Sequence, residues 1–314
     1  MSNETRTIPA GVADATPWYR LLAAWLLAAG TRTTNRLVYS TLYLVAIAML
    51  ETALVIAALD LPMSVAPLVV GLLTFSVYAG DRLADVDTDA VSNPGQSAFV
   101  RRHRTALSVL TAAAYGLAIT ISVTGGPLAL ALALLPGGFW ILYASDWLPR
   151  LGNYVTRLKD VLVVNSLLVA VAWAITLTFV PLAFVDAPLS VGAVGVFAYF
   201  VLDRFINTEI PNLKDAAGDA AIGVSTLPVV FGERRTRHIL YALSLAIGAL
   251  LAGAYVTDVV TAAIAVAFGI GVVYTLVLTA AIGRTENHAR LAIASECKHV
   301  LVFAVLVAFT GFPL

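Results

Sequence analysis

Four long apolar stretches without a single Lys or Arg divide the chain, at 37–81, 105–149, 160–203 and 238–283. Each is 44 to 46 residues long, and a helix crossing a bilayer takes about 20 apolar residues. Each stretch therefore predicts a hairpin of two spanning helices. Turn-forming residues stand near the midpoints where such hairpins must reverse: Asp60-Leu61-Pro62, Gly125-Gly126-Pro127, Asp186-Ala187-Pro188 and Thr257-Asp258. A last apolar run over 291–312 brings the predicted count to nine transmembrane helices in an all-α membrane protein.

The 19 Lys and Arg fall into five clusters, at 6–36, 82–104, 150–159, 204–237 and 284–298. With spans between them, every cluster faces one side. The positive-inside rule makes that side cytoplasmic, so the N-terminus and the loops after even-numbered spans are expected there. Residues 20–30 are apolar but too short to cross, and with Trp18, Tyr19 and Trp25 they predict an interfacial helix. The expected organisation is a tail at 1–34 carrying that helix, then a nine-helix transmembrane domain at 35–314. The first 19 residues hold no apolar run, so no cleavable signal peptide is expected.

Composition sharpens this picture. The chain is 60% hydrophobic and 12% charged, with a mean hydropathy of +0.90, which excludes a soluble domain of this size. A net charge of zero gives no basic surplus for phosphate backbones, so no nucleic-acid partner is expected; the bilayer is the partner. The single cysteine, Cys297, rules out an internal disulfide and cysteine-ligated zinc. His103, His238, His288 and His299 lack metal-site spacing and read as cytoplasmic-loop residues. Glu51, in the middle of the first span, is expected to be protonated and bonded to a neighbouring helix, or to serve as an acceptor-binding group or proton relay.

Two acidic clusters carry the candidate chemistry. Asp81, Asp85 and Asp89 follow the second predicted span at steps of four, which places them on one helix face, with Asp87 pointing elsewhere. Three carboxylates on one face repel each other unless a cation sits among them, and an oxygen-only donor set selects magnesium or calcium. The second cluster, Asn212-Leu213-Lys214-Asp215-Ala216-Ala217-Gly218-Asp219, follows the sixth span with the same step. Both fall on the same side of the membrane. Two such sites at one face suit a diphosphate leaving group, whose charge divalent ions neutralise as the carbon–oxygen bond breaks.

The segment Asp81-Arg82-Leu83-Ala84-Asp85-Val86-Asp87-Thr88-Asp89 resembles the first signature, written N-x-x-x-D-x-x-x-D, of the UbiA superfamily of intramembrane prenyltransferases. Asn212, Asp215, Asp219, Gly223, Thr226-Leu227-Pro228-Val229 and Phe231-Gly232 resemble the second, as it stands in quinone-type members. The resemblance implies a nine-helix bundle that uses Mg2+ to ionise a polyprenyl diphosphate and transfers the prenyl group to a lipophilic acceptor, a quinone precursor, ether lipid or carotenoid. It implies Asp81, Asp85, Asp89, Asp215 and Asp219 as metal-binding, catalytic carboxylates, with Asn212 beside them. Lys159 and Asn165 look like the basic residue and Asn that precede and open the family's fifth helix. Two positions depart from the pattern: Asp81 replaces the usual Asn, and Asn93-Pro94 replaces a frequent Arg-Pro.

Diphosphate oxygens also call for cations, for which Arg82, Arg101, Arg102, Arg104, Arg150, Arg157, Lys159 and Lys214 are candidates. A forming allylic cation calls for π-faces, offered by Tyr78 and Tyr143 and less directly by Tyr199 and Phe205. Asp203 and Glu209, just before the second cluster, are candidates for a base or a support of the metal site. The alternative reading is a membrane transporter with an acidic site at the cytoplasmic face, although transporter sites lie at the membrane midplane. A phospholipid-forming CDP-alcohol transferase also uses aspartates, but the Asp-Gly and Ala-Arg offsets of that motif are missing.

Overall fold

The computed structural model of the chain describes residues 37–87, 89–144, 162 and 164–310. These residues form helices and no strand. They are α1 (Leu42–Ala58), α2 (Ala66–Ala84), α3 (Asp89–Ser92), α4 (Pro94–Arg102), α5 (Arg104–Val123), α6 (Gly126–Ala144), α7 (Val164–Phe184), α8 (Val191–Ile222), α9 (Leu227–Val256), α10 (Ala262–Ala281) and α11 (His288–Thr310). The tail with its expected interfacial helix lies outside the described residues.

All four expected reversals occur, and each is made by one residue in the left-handed region: Asp60 at φ 50°, Gly126 at 87°, Asp186 at 50° and Asp258 at 55°. Aspartate enters that region because its short polar side chain bonds locally. Neighbouring helices pack in a closed circuit, α1 on α2, α2 on α5, then α5 through α11 in chain order, with α11 returning to α1. α8 also packs on α11, and α1 and α2 on α7, so the circuit is filled rather than hollow. Its core includes Leu54, Val69, Leu73, Leu177, Phe200 and Leu240, while Val109, Leu117, Leu128, Val273, Val277 and Phe309 face outward. Helices apolar on both sides belong in lipid.

Six of the helices are long and apolar enough to cross a membrane: α5, α7 from Ser166, α8, α9, α10 and α11. The protein is therefore a multi-pass membrane protein. The nine spans expected are not reached by this measure among the described residues. α1 and α6 are apolar but counted short, and α2 carries Asp81 and Arg82 in its last turn. α8 has 32 residues, which at 1.5 Å per residue is about 48 Å. That exceeds a hydrocarbon core of about 30 Å, so one end of α8 must emerge.

Candidate active site

The first acidic cluster is held on one line by backbone hydrogen bonds that continue past the end of α2. Asp85 N–H donates to Asp81 O at 2.8 Å, Asp89 N–H to Asp85 O at 2.8 Å, Asn93 N–H to Asp89 O at 2.7 Å and Ser97 N–H to Asn93 O at 3.0 Å. The four-residue step thus runs through α3 into α4 and aligns Asp81, Asp85, Asp89 and Asn93. Asp87 lies off this line as expected, exposed and paired with Arg101 at 2.8 Å. That pairing occupies one of the candidate phosphate-binding arginines.

The second cluster occupies the last three turns of α8. Gly223 ends the helix at φ 81°, a left-handed position that glycine takes without steric cost. Its N–H and that of Val224 donate to Asp219 O, and the chain turns back into α9. Glu209 Oε2 accepts from Leu227 N–H at 3.2 Å and from Asn212 Nδ2 at 3.3 Å, which pins the start of α9 to α8. Glu209 therefore braces the turn, and Asn212 is engaged with it. Gly232, at φ 70° and ψ 167°, breaks α9 after its first turn, which accounts for the Phe231-Gly232 pair.

The two clusters meet. Lys214 Nζ donates to Asn93 Oδ1 at 3.1 Å, Asn93 Nδ2 donates to Asp215 Oδ1 at 3.5 Å, and Lys214 lies 3.5 Å from Asp215. Burial pushes the Asp89 carboxyl above its usual range, and Asp85 and Asp215 push the same way while Arg82 and Lys214 oppose them. Carboxylates of both clusters and two cations thus share one field. Among the described residues, buried Arg82 Nε has no hydrogen-bond partner, a donor suited to an anion. Among the described residues no three carboxylate or imidazole groups converge tightly enough to enclose an ion. Magnesium suits such a donor set, because it commonly binds through one or two carboxylates and keeps waters or phosphate oxygens. Arg150, Arg157 and Lys159 lie outside the described residues, as do the side chains of Tyr143 and Asn165.

Beneath the carboxylates, Tyr78 stacks on Trp173 with centroids 5.6 Å apart and planes at 10°. The two rings border a small cavity of about 20 Å3, room for one water, whose other wall is Glu51, Arg204 and Glu296. Arg204 pairs with Glu51 at 2.7 Å, Asp203 at 3.2 Å and Glu296 at 3.5 Å; His299 Nδ1 lies 2.6 Å from Glu51, and Lys298 pairs with Asp203 and donates to Asn207 Oδ1 at 2.9 Å. Asp203 is about 18 Å along α8, near mid-membrane depth.

This network corrects several expectations. His299 is a fully buried residue of α11, and Lys298 and Arg204 are buried ion-pair partners, so neither all histidines nor all basic residues belong to cytoplasmic loops. Glu51 is bonded to neighbouring helices, but by ion pairs with Arg204 and His299. Asp203 serves the network. Tyr199 packs edge-on against Phe200 and Phe268, and Phe205 packs with Leu227, so both are core residues. The sequence reading missed Trp173 and Glu296. The available signal was the position of Glu296, Lys298 and His299 inside the last apolar run, where charge needs a partner.

A family model for the UbiA prenyltransferase family matches residues 41–296. The chain belongs to that family. Digeranylgeranylglyceryl phosphate synthase of Pyrococcus abyssi (strain GE5 / Orsay) is 27% identical over 198 residues, 60% of this chain and 64% of that protein. The chain thus spans less than two thirds of that relative's length. Among solved structures, an apo UbiA homolog from Aeropyrum pernix K1 superposes with a TM-score of 0.65 at 17% identity, covering 86% of this chain and 97% of that one. A UbiA homolog from Archaeoglobus fulgidus bound to GPP and Mg2+ gives 0.60 at 16% identity, covering 86% and 98%. These structures share the UbiA fold with this chain.

Proposed function

We propose that the protein is an integral-membrane prenyltransferase that moves a polyprenyl group from its diphosphate to a lipophilic acceptor. The observation that supports this most directly is the contact of Asn93 with Lys214 and Asp215, which joins two acidic motifs far apart in sequence. Asp81, Asp85 and Asp89 hold one magnesium ion and Asp215 and Asp219 another. The bound ions neutralise the leaving diphosphate. Arg82 and Lys214 donate to its oxygens, and Arg157, Lys159 and Asn165 are further candidates for the same role. The relative's name and the bound GPP and Mg2+ of the Archaeoglobus homolog support both the donor and the metal.

The prenyl tail lies in an apolar groove of about 590 Å3 on the outer side of α1 and α2, along Val45, Leu72, Phe75, Phe99, Leu107 and Leu110. The domain extends over 35–314, and α1, α2 and α6 complete nine spans around the six longest. The acidic motifs and the N-terminus face the cytoplasm, as the basic clusters favour. Two measurements test the function. Purified protein incubated with geranylgeranyl diphosphate should release diphosphate only with Mg2+. Lipid and pigment extracts of cells expressing it should gain a species heavier by whole isoprene units. If neither occurs, the protein is no prenyltransferase.

A further inference from the structure

Donor and acceptor of the proposed transfer are both lipids, and the inorganic diphosphate left behind is the water-soluble product. It needs a way out to water. Beside the second motif lies an open polar basin of about 790 Å3, lined by Lys214 and by the α10–α11 loop from Arg284 to Ala289. Apart from Ala289 every lining residue is polar or charged, so the basin offers no apolar wall along which a lipid chain could continue.

Antiparallel packing of α8 on α11 sets the basin beside the motif. Asn207 of α8 donates to Ser295 O of α11 at 3.5 Å, and Arg204 meets Glu296 at 3.5 Å. Residues further along α8 therefore come level with earlier residues of α11, and Lys214 reaches the start of that helix. The loop itself is held in shape. Gly283 takes a left-handed φ of 72°, Arg237 Nη1 donates to Ile282 O at 2.8 Å, and His288 Nε2 lies 3.4 Å from Glu233 Oε1. Asn287 Oδ1 accepts from Arg290 N–H at 3.1 Å and caps α11.

Charge decides what the basin takes. Lys214, Arg284 and His288 line it against a single carboxylate, Glu286. Arg284 is exposed, and its guanidinium makes no hydrogen bond or ion pair among the described residues. Lys214 belongs to both places: its ammonium is 3.1 Å from Asn93 Oδ1 and 3.5 Å from Asp215, and its side chain also borders the basin. A diphosphate released at the motifs thus keeps one cation as partner on its way into the basin. Glu286 opposes the anion, which suits an exit, because a site that passes an ion onward must bind it weakly enough to let it leave.

Resting on the prenyltransferase reading, we propose that the basin is a second anion site, which receives inorganic diphosphate from the motifs after transfer and passes it to water. Lys214 joins the two sites. Arg284 donates to the departing phosphate oxygens, and Glu286 keeps the binding weak. The intact prenyl diphosphate stays at the motifs, because its chain is anchored in hydrocarbon and the basin has none.

The test is equilibrium dialysis of radiolabelled inorganic diphosphate against the full-length protein in detergent with Mg2+. Once a non-hydrolysable isoprenoid diphosphate analogue has filled the motif site, one further equivalent of diphosphate should still bind. Arg284→Ala should weaken that binding by up to about fivefold, the worth of an exposed ion pair, and Arg284→Glu should weaken it further. Glu286→Gln should tighten it. None of these variants should change the affinity for the analogue, and both positions are exposed, so the fold does not depend on them. No binding to the analogue-filled protein, or equal diphosphate affinity in the parent and Arg284→Glu, overturns the proposal. So does Arg284-dependent binding of a dialkylglycerol phosphate in place of diphosphate, which would make the basin a lipid-headgroup site. If the analogue itself does not bind, the prenyltransferase reading fails separately. Dialysis of diphosphate against parent and Arg284→Glu without analogue then decides the basin, and equal affinity there overturns it.

Discussion

Asn93 accepts a 3.1 Å hydrogen bond from Lys214 across 121 positions of sequence. Asn93, one of the two places where the chain departs from the motif pattern it resembles, supplies a joint between the two motifs. It also orients the ammonium of Lys214 near Asp215. Asn93→Ala should therefore raise donor KM by about tenfold, the worth of a hydrogen bond to a charged group. Isothermal titration of a non-hydrolysable isoprenoid diphosphate analogue reads this directly. Unchanged affinity would show that the contact does not position Lys214.

Removal of a single motif carboxylate has a larger expected effect. Asp85→Ala and Asp215→Ala each remove a carboxylate from a cluster that, among the described residues, encloses no ion by protein ligands alone. Metal stabilisation of a leaving group amounts to several kcal/mol, so turnover should fall at least about a hundredfold in each variant. EDTA should stop the parent enzyme and Mg2+ restore it. Retained turnover in both variants would remove the aspartates from the metal site.

Much of this arrangement was legible because lipid imposes strict rules on sequence. The reversals at Asp60, Gly126, Asp186 and Asp258 stood out because a hairpin must turn where apolar residues give way, and the aspartate line stood out because a step of four marks one helix face. The buried network was not legible. Arg204 sits eleven residues before Asp215 and looked like the edge of a cytoplasmic loop, since nothing local reveals that α8 runs on for 32 residues with its ionic pair at mid-depth. Partners for Arg204 and Lys298 come from α1 and α8, and such pairings are fixed by packing rather than spacing.

Membrane sidedness has a separate test. Gly126 lies in the α5–α6 reversal and Gly218 in the second motif, near the end of α8 that emerges from the hydrocarbon. Single cysteines at the two positions, in a Cys297→Ser background because Cys297 is an exposed thiol, should react with an impermeant maleimide from opposite sides of sealed vesicles. Labelling from the same side would invalidate the hairpin topology.

Lys298 provides the energetic test of the buried network. Its side chain is 1% exposed and pairs with Asp203, itself 3% exposed, while its ammonium also donates to Asn207. Lys298→Met keeps the bulk and removes the cation, which leaves Asp203 to Arg204 at 3.2 Å and His299 at 3.5 Å. Breaking one side of a buried ion pair costs about 3–5 kcal/mol, so the melting temperature in detergent should fall clearly. Adding Asp203→Leu removes the stranded carboxylate, and the double variant should recover part of the loss. If Lys298→Met melts with the parent, the Lys298–Asp203 pair contributes nothing to stability.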